Sequence, residues 1–418
     1  MDAISINSQQ RQYGLYRAAI VVILCACFLF YKYILQISPS VMSQDLMRAF
    51  SLDGAGLGFM AACYFYTYAI LQIPAGMLLD RYGLRLLLGV TVLIAALGGL
   101  LFSQSHYLVV ADLARGLIGV GAAFATSGYM KSVSIWIPKR HHAVFSGLFG
   151  SACMLGATFA SSPIALLVTH IGWRATLLWA AGIGLLLCLF ILLFIPSHKH
   201  CRVERVVQPI GLFKGLKKVL LTWNNWPLLV FNGLSFAPVA VYGGLWGVPF
   251  LEQSYHYDRA HAAFSASLIF LGLAVGGPIL GWLSDRLDSR KGMIYVGVTV
   301  GLICLLVLIY INHLPNIVVD VLTFAIGFGL SSFLISYTIT IETNVAALSA
   351  TAIAIVNTGA PVFGSIAEPM IGRLLDYGWT GQMHHGVRIF SVADYHHALI
   401  VLPIYLIISL VAMRYVKI

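Results

Sequence analysis

The strongest constraint in this chain is the recurrence of nearly uncharged apolar runs about 20 residues long, divided by short polar or charged turns. A helix of that length matches the hydrocarbon thickness of a bilayer. In lipid, every backbone N–H and C=O must be satisfied within the segment, so such runs are spanning helices rather than strands. Twelve spans can be read, at 15–37, 54–79, 85–104, 108–136, 143–168, 174–195, 226–250, 261–283, 292–312, 317–341, 350–374 and 396–415. Composition supports the reading: 60% of the 418 residues are hydrophobic and 10% are charged, against roughly 25% charged in soluble domains. The expected fold class is an all-α membrane protein, two pseudo-symmetric six-helix bundles in a lipid bilayer.

The formal net charge of +10 raises nucleic acid as a partner, but positive charge gathers on the cytoplasmic side of membrane proteins, which accounts for it better. With both termini cytoplasmic, that side carries 17 of the lysines and arginines and the other side 5, with Lys32, Arg115 and Lys131 inside spans. The stretch 197–224 holds six of the basic residues and divides the chain into a bundle at 1–196, a basic cytoplasmic linker, and a bundle at 225–418. Localisation in a bacterial inner membrane, as a multi-pass monomer, is expected. The six cysteines inside apolar runs and Cys201 in the basic stretch predict no disulfide framework.

One charged turn occurs twice. Between spans 2 and 3 the chain reads GMLLDRYGLR, with Gly76, Asp80, Arg81, Gly83 and Arg85. At an offset of 205 positions it reads GWLSDRLDSR, with Gly281, Asp285, Arg286 and Arg290; Asp288 replaces the loop glycine. The same turn at the same point of both halves indicates a duplicated bundle. A third pattern, RGLIGVGAA, begins at Arg115 in span 4.

These two turns, the span 4 pattern and the six-plus-six layout resemble the major facilitator superfamily over essentially the whole length. A finer likeness, to the phagosomal nutrient transporters of intracellular bacteria, is carried by ISPSVMSQDLMRAFSLD, YMKSVSIWIPKRHHAVFSGL and EPMIGRLLD. The G-P-x-x-G-G-like end of span 5 that marks drug antiporters in that superfamily is missing; the segment reads GLFGSACMLGATFASSP. The resemblance implies alternating access, with the two halves rocking about a site near the bilayer midplane. It also implies that the DR-turns gate this motion rather than merely anchor the turn in the cytoplasm.

Ionisable groups inside spans cost about 2.5–3.5 kcal/mol each on insertion scales, so they are functional candidates. Arg115 can serve proton coupling or bind a substrate carboxylate; with Asp112 three residues earlier it can equally form a structural ion pair. Lys32, with Gln36 one turn on, can face a central cavity or snorkel to the interface. Lys131 lies too far around the helix from Arg115 to share its face, and points towards span 2 or 5 or snorkels. Glu368 precedes Pro369, where a helix can kink and free a carbonyl; it is a candidate proton carrier or a hydrogen-bonded packing residue. Tyr64, Tyr68, Asn232, Tyr242, Trp246, Tyr337 and Asn357 are polar or aromatic candidates for a small-ligand site, each of which can also be core.

No metal site is expected, because the adjacent histidine pairs lack partners at ligand spacing. No nucleotide-binding or hydrolase motif is present, so no cofactor and no enzymatic activity are expected. The expected function is proton-coupled uptake, by symport, of a small polar nutrient: an amino acid, a short peptide or a nucleoside. A carrier of a polycarboxylate siderophore or a drug, in either direction, is the first alternative. A nutrient-binding membrane sensor is the second.

Overall fold

The computed structural model describes residues 2–137, 142–196, 212–345, 348–384 and 386–417; side chains at 2–16, 73, 77, 80, 81, 142–149, 151, 212–216, 349, 350 and 384 lie outside the described set. The helices in chain order are α1 Asp2–Ile37, α2 Ser43–Phe50, α3 Gly54–Tyr82, α4 Leu84–Gln104, α5 Leu108–Trp136, α6 His142–Phe194, α7 Leu212–Leu221, α8 Asn225–Pro238, α9 Gly247–Tyr255, α10 Arg259–Arg286, α11 Arg290–Tyr310, α12 Asn316–Leu330, α13 Ile335–Thr343, α14 Ser349–Gly378, α15 Val392–Leu399 and α16 Val401–Arg414. A two-stranded hairpin, β1 Met383–His384 and β2 Val387–Arg388, lies between α14 and α15. This is an all-helical, multi-pass membrane protein.

Among the described residues, ten stretches are long and apolar enough to cross a membrane. One of them, Ala152–Phe194, has 43 residues, roughly 65 Å of helix and enough for two crossings. It reverses at Gly172, whose φ of 79° and ψ of 161° are not helical. Gly83, between α3 and α4, has almost the same angles, φ 81° and ψ 161°. Both are followed by x-Arg, and only glycine takes this conformation freely. The sequence expectation of spans at 143–168 and 174–195 thus corresponds to the two arms of α6.

Three expected spans are less regular than the sequence suggests. The seventh passes through a π-helical turn at Val239–Trp246, directly after Pro238, which has no N–H to give the preceding turn. The tenth is interrupted by a 3-10 turn at Ser331–Leu334. The twelfth starts at Val392 rather than 396, because Ser391 and Asp394 form a reciprocal capping box there. The outer surface is apolar, with Ile70 71% and Trp179 69% exposed, as lipid contact requires.

Following the helices end to end puts both DR-turns at one end of the molecule, called here the turn end. The short α2, the loop before α10 and the β-hairpin form the opposite, far end. Gly83 closes α3, its N–H reaching the Leu79 carbonyl at 3.1 Å. Asp288, in the second turn, also has positive φ, 47°. A positive φ near that value is one that aspartate tolerates better than most side chains, so the second turn does without a glycine.

The most extensive packing between helices joins α3 to α14, and α10 meets the first arm of α6. In the α3–α14 crossing, backbones touch directly. A Cβ on Gly54 would lie 2.6 Å from the Gly372 carbonyl oxygen, and one on Gly58 would lie 2.5 Å from that of Glu368. All described hydrogen bonds between 17–194 and 225–417 lie in the half of the molecule towards the far end. They join Gln44 to Glu252, Asp45 to Arg259, Gly54 and Ala55 to Asp376, and Tyr66 to the Ser365 carbonyl. The last follows from Pro369: it has no N–H for the Ser365 carbonyl, and the Tyr66 hydroxyl supplies a donor at 3.3 Å.

Candidate functional site

A cavity of about 340 Å³ lies at mid-depth between the two sets of helices. It brings together Lys32, Gln36, Tyr64, Tyr68, Tyr337 and Asn357 of the candidates. Apolar walls come from Met154, Phe236, Leu273 and Phe333. Volume and lining both suit a small ligand held by a few polar groups.

Lys32 is 5% exposed. Its Nζ donates to the Tyr68 hydroxyl at 3.3 Å and sits 4.5 Å from the ring centroids of both Tyr33 and Tyr68. The aromatic faces stabilise the cation. They do not neutralise it, and no Asp or Glu lines the cavity among the described residues. Lys32 faces the cavity rather than snorkelling, because Tyr33 and Tyr68 hold its end.

Around it the polar groups are fixed by one another. The Tyr64 hydroxyl donates to Gln36 Oε1 at 3.1 Å, and Tyr64 stacks on Tyr68 at 5.8 Å between centroids. Across the cavity, the Tyr337 hydroxyl donates to Asn357 Oδ1 at 2.5 Å. Phe333 packs edge-on to Tyr337.

Arg115 lies behind this wall. Its Nη1 donates to the Leu35 carbonyl at 2.8 Å and its Nη2 to that of Ala61 at 3.4 Å, with the guanidinium 5.3 Å from the Tyr64 ring centroid. The Leu35 carbonyl needs such a donor because the residue four positions on is Pro39. The ion pair with Asp112, one of the two alternatives for Arg115, does not form; Asp112 Oδ1 is buried without a hydrogen-bond partner among the described residues. Glu368, on α14 of the other half, is 2% exposed, and its Oε2 has no hydrogen-bond partner among the described residues.

The remaining candidates sit elsewhere. Lys131 Nζ donates to the Leu79 carbonyl at 2.6 Å, in the last turn of α3, where a cation complements the helix dipole. Asn232 Nδ2 donates to Ser336 Oγ at 3.2 Å and ties α8 to α13. Tyr242 and Trp246 are fully buried on the π-helical turn, and Trp246 Nε1 donates to the Glu368 carbonyl at 3.2 Å.

Of the two turns, the second is fully described. Arg290 bonds to Asp285 and reaches Glu342 Oε1 at 3.1 Å, linking this turn to the end of α13 within one half. Arg286 lies 5.3 Å from the Trp282 ring centroid. Gly76 and Gly281 have open space around them. Arg85 lines a surface pocket with Trp136 and Ile195. The side chains of Asp80 and Arg81 lie outside the described residues.

Sequence reading missed Tyr33, Thr126, Met154, Phe236 and Phe333 in the cavity wall. Phe333 stands four positions before Tyr337, the spacing that shares a helix face, and could have been found that way. The other four carry no signal that separates them from core.

Comparison with known proteins agrees with this architecture. The profile described as Major Facilitator Superfamily matches residues 21–380. "Uncharacterized transporter YybO" of Bacillus subtilis (strain 168) is 25% identical over 61% of this chain and 62% of its own length. The chain thus spans less than two thirds of that relative. "Probable galactarate/D-glucarate transporter GudP" of Escherichia coli (strain K12) is 24% identical over 88% of each protein. A crystal structure of a bacterial homologue of the human lysosomal transporter Spinster, inward-facing and unoccupied, aligns with a TM-score of 0.77 over 95% of this chain and 97% of that one, at 16% identity. The last is a likeness of fold. The chain is a multi-pass membrane protein and belongs to the Major Facilitator Superfamily.

Proposed function

We propose that this carrier moves a small hydroxylated organic anion, of the sugar-acid class, and takes it up together with a proton. The observation that carries the reading is Lys32, a cation enclosed by two tyrosines at the central cavity with no carboxylate beside it among the described residues. A buried charge without a counter-ion is costly, and an anionic ligand relieves it. Gln36, Asn357 and the tyrosine hydroxyls suit the alcohol groups of such a ligand. The likeness to GudP, named a probable galactarate/D-glucarate transporter, supports the same class.

The expectation of an amino acid, a short peptide or a nucleoside, drawn from the likeness to phagosomal nutrient transporters, accounts for the cavity less fully. A zwitterion brings an ammonium that no lining carboxylate meets, and a nucleoside leaves Lys32 without its counter-ion.

In this reading the halves 1–196 and 225–418 rock as bodies about the cavity, with the linker 197–224 and both termini in the cytoplasm and the turn end facing inward. The contacts at the far end then describe a state closed to the outside. Glu368 is the coupling group: a carboxylate sealed in the seam between halves, near Arg115, that exchanges a proton as the seam opens.

The test is counterflow in proteoliposomes. D-glucarate or galactarate should exchange, glucose and neutral nucleosides should not, and Lys32→Ala should abolish the exchange. Equal exchange of a nucleoside and a sugar acid by the wild type would sink the anion reading. A sensor that binds without moving its ligand would show no counterflow at all.

A further inference from the structure

A second cavity, of about 330 Å³, lies at the far end on the seam between the halves. It shares no lining residue with the central cavity. Ser43, Gln44 and Arg48 of α2 form one wall; Glu252 and Gln253 of α9 and Arg388 of β2 form the other. Buried apolar side chains, Met47, Leu57 and Phe390, make its floor together with Trp246.

The walls are held in place. Glu252 Oε2 accepts from Gln44 Nε2 at 2.9 Å, and its Oε1 lies 4.0 Å from Arg259 Nε. Arg388 uses Nη1 on Asp376 at 2.9 Å and stacks its guanidinium 4.4 Å from the Trp379 ring centroid. With its side chain 30% exposed, its other N–H groups have no hydrogen-bond partner among the described residues; the planar fork suits a carboxylate. Arg48 and Arg388, one from each half, stand around a space whose one lining carboxylate among the described residues, that of Glu252, is engaged by Gln44.

We infer that this cavity is a second binding site for a small hydroxylated carboxylate, filled from the side opposite the DR-turns, and that a molecule bound there holds the halves shut at that end. The ligand class rests on the reading of the central cavity; the location and the lining do not. The mechanical consequence follows from the walls. Opening the far end separates α2 from α9 and β2 and pulls the site apart, so a ligand touching both walls prefers the closed form. A ligand shifts an equilibrium towards the form it binds better. Uptake therefore rises with external anion, passes through a maximum and falls as the outer site fills.

Equilibrium dialysis of the full-length protein in lipid nanodiscs against D-glucarate tests this. Two molecules should bind per wild-type chain, and one per Lys32→Ala chain. Gln253→Trp, which fills the outer cavity, and Arg48→Gln, which removes a charge from it, should each leave one molecule bound and abolish the fall in uptake at high external anion. One molecule per wild-type chain, lost in Lys32→Ala, would leave the central reading standing and overturn this one. Two molecules retained in both outer-site variants would also overturn it. No binding of D-glucarate or galactarate to the wild type removes both readings together.

Discussion

The Asp376 carboxylate, at the end of α14, closes the first turn of α3 in the opposite half. Its Oδ1 accepts from the Gly54 N–H at 2.8 Å and its Oδ2 from the Ala55 N–H at 2.7 Å, while Arg388 holds the same Oδ1 at 2.9 Å. The free N–H groups of a helix start favour an anion. Here that anion comes from the other half, so the contact exists only while the far end is closed. Asp376→Asn should shift the protein towards opening at that end. Losing one charge-assisted hydrogen bond costs about 1.5–3 kcal/mol, roughly a 10- to 150-fold change in the equilibrium. Spin labels at cysteines replacing Ser51 and Met383 should report a longer separation in the variant. An unchanged distance distribution would show that other contacts keep that end closed.

Lys32 should decide affinity for the anion. Lys32→Ala should weaken D-glucarate binding at least tenfold, the lower end expected for a hydrogen bond to a charged group. Tyr68→Phe removes one hydroxyl partner but keeps the ring, so it should weaken binding by only a few-fold. Isothermal titration of both variants checks the order; the reverse order would place the recognition on the hydroxyl instead of the cation.

Glu368 should separate exchange from accumulation. Glu368→Gln keeps the volume and removes the titratable proton, so counterflow should persist while accumulation driven by a pH gradient is lost. Gradient-driven accumulation at the wild-type level in this variant would exclude Glu368 as the coupling group.

The glycines of the α3–α14 crossing should tolerate no side chain when the far end is closed. Gly58→Val puts a Cβ only 2.5 Å from the Glu368 carbonyl oxygen, and overpacking of this kind costs about 1–3 kcal/mol. The variant should fold and insert, yet show several-fold slower uptake and more labelling of outward-facing cysteines. Wild-type uptake would mean that the crossing is looser in the membrane.

The two turns should respond oppositely to mutation. Gly83→Ala forces a Cβ onto φ 81° and ψ 161°, a glycine-only region that costs on the order of 1–3 kcal/mol. Asp288→Gly relieves a φ of 47° and should be neutral or slightly stabilising. Melting temperatures in detergent micelles give the comparison.

Most of the architecture was legible in the residues. Membrane helices announce themselves through length and apolarity, and the alternation of their ends puts both DR-turns at one end of the molecule. What could not be read was anything set by prolines acting on distant partners. Arg115 is next to Asp112 on its helix, yet it turns to the Leu35 carbonyl because Pro39 cannot serve it. Tyr66 was not a candidate, yet it bridges the halves because Pro369 leaves the Ser365 carbonyl open. Lys32 and Tyr68 were legible as polar groups inside spans. Their meeting around a cation depends on how α1 and α3 pack, which no local pattern encodes. Trp246 and Tyr242 pointed to a site by type alone; on the π-helical turn Trp246 is buried with its Nε1 on the Glu368 carbonyl, and Tyr242 packs edge-on to Phe250.

Where α3 crosses α14, Gly54, Gly58 and Gly372 let main chain rest on main chain. Closing such a joint freezes almost no rotamers, and parting it leaves no bulky chains to be combed past one another. The far end can therefore latch and unlatch with little entropic penalty in either direction, leaving the choice of state to the few charged groups that bridge it and to whatever cargo is aboard.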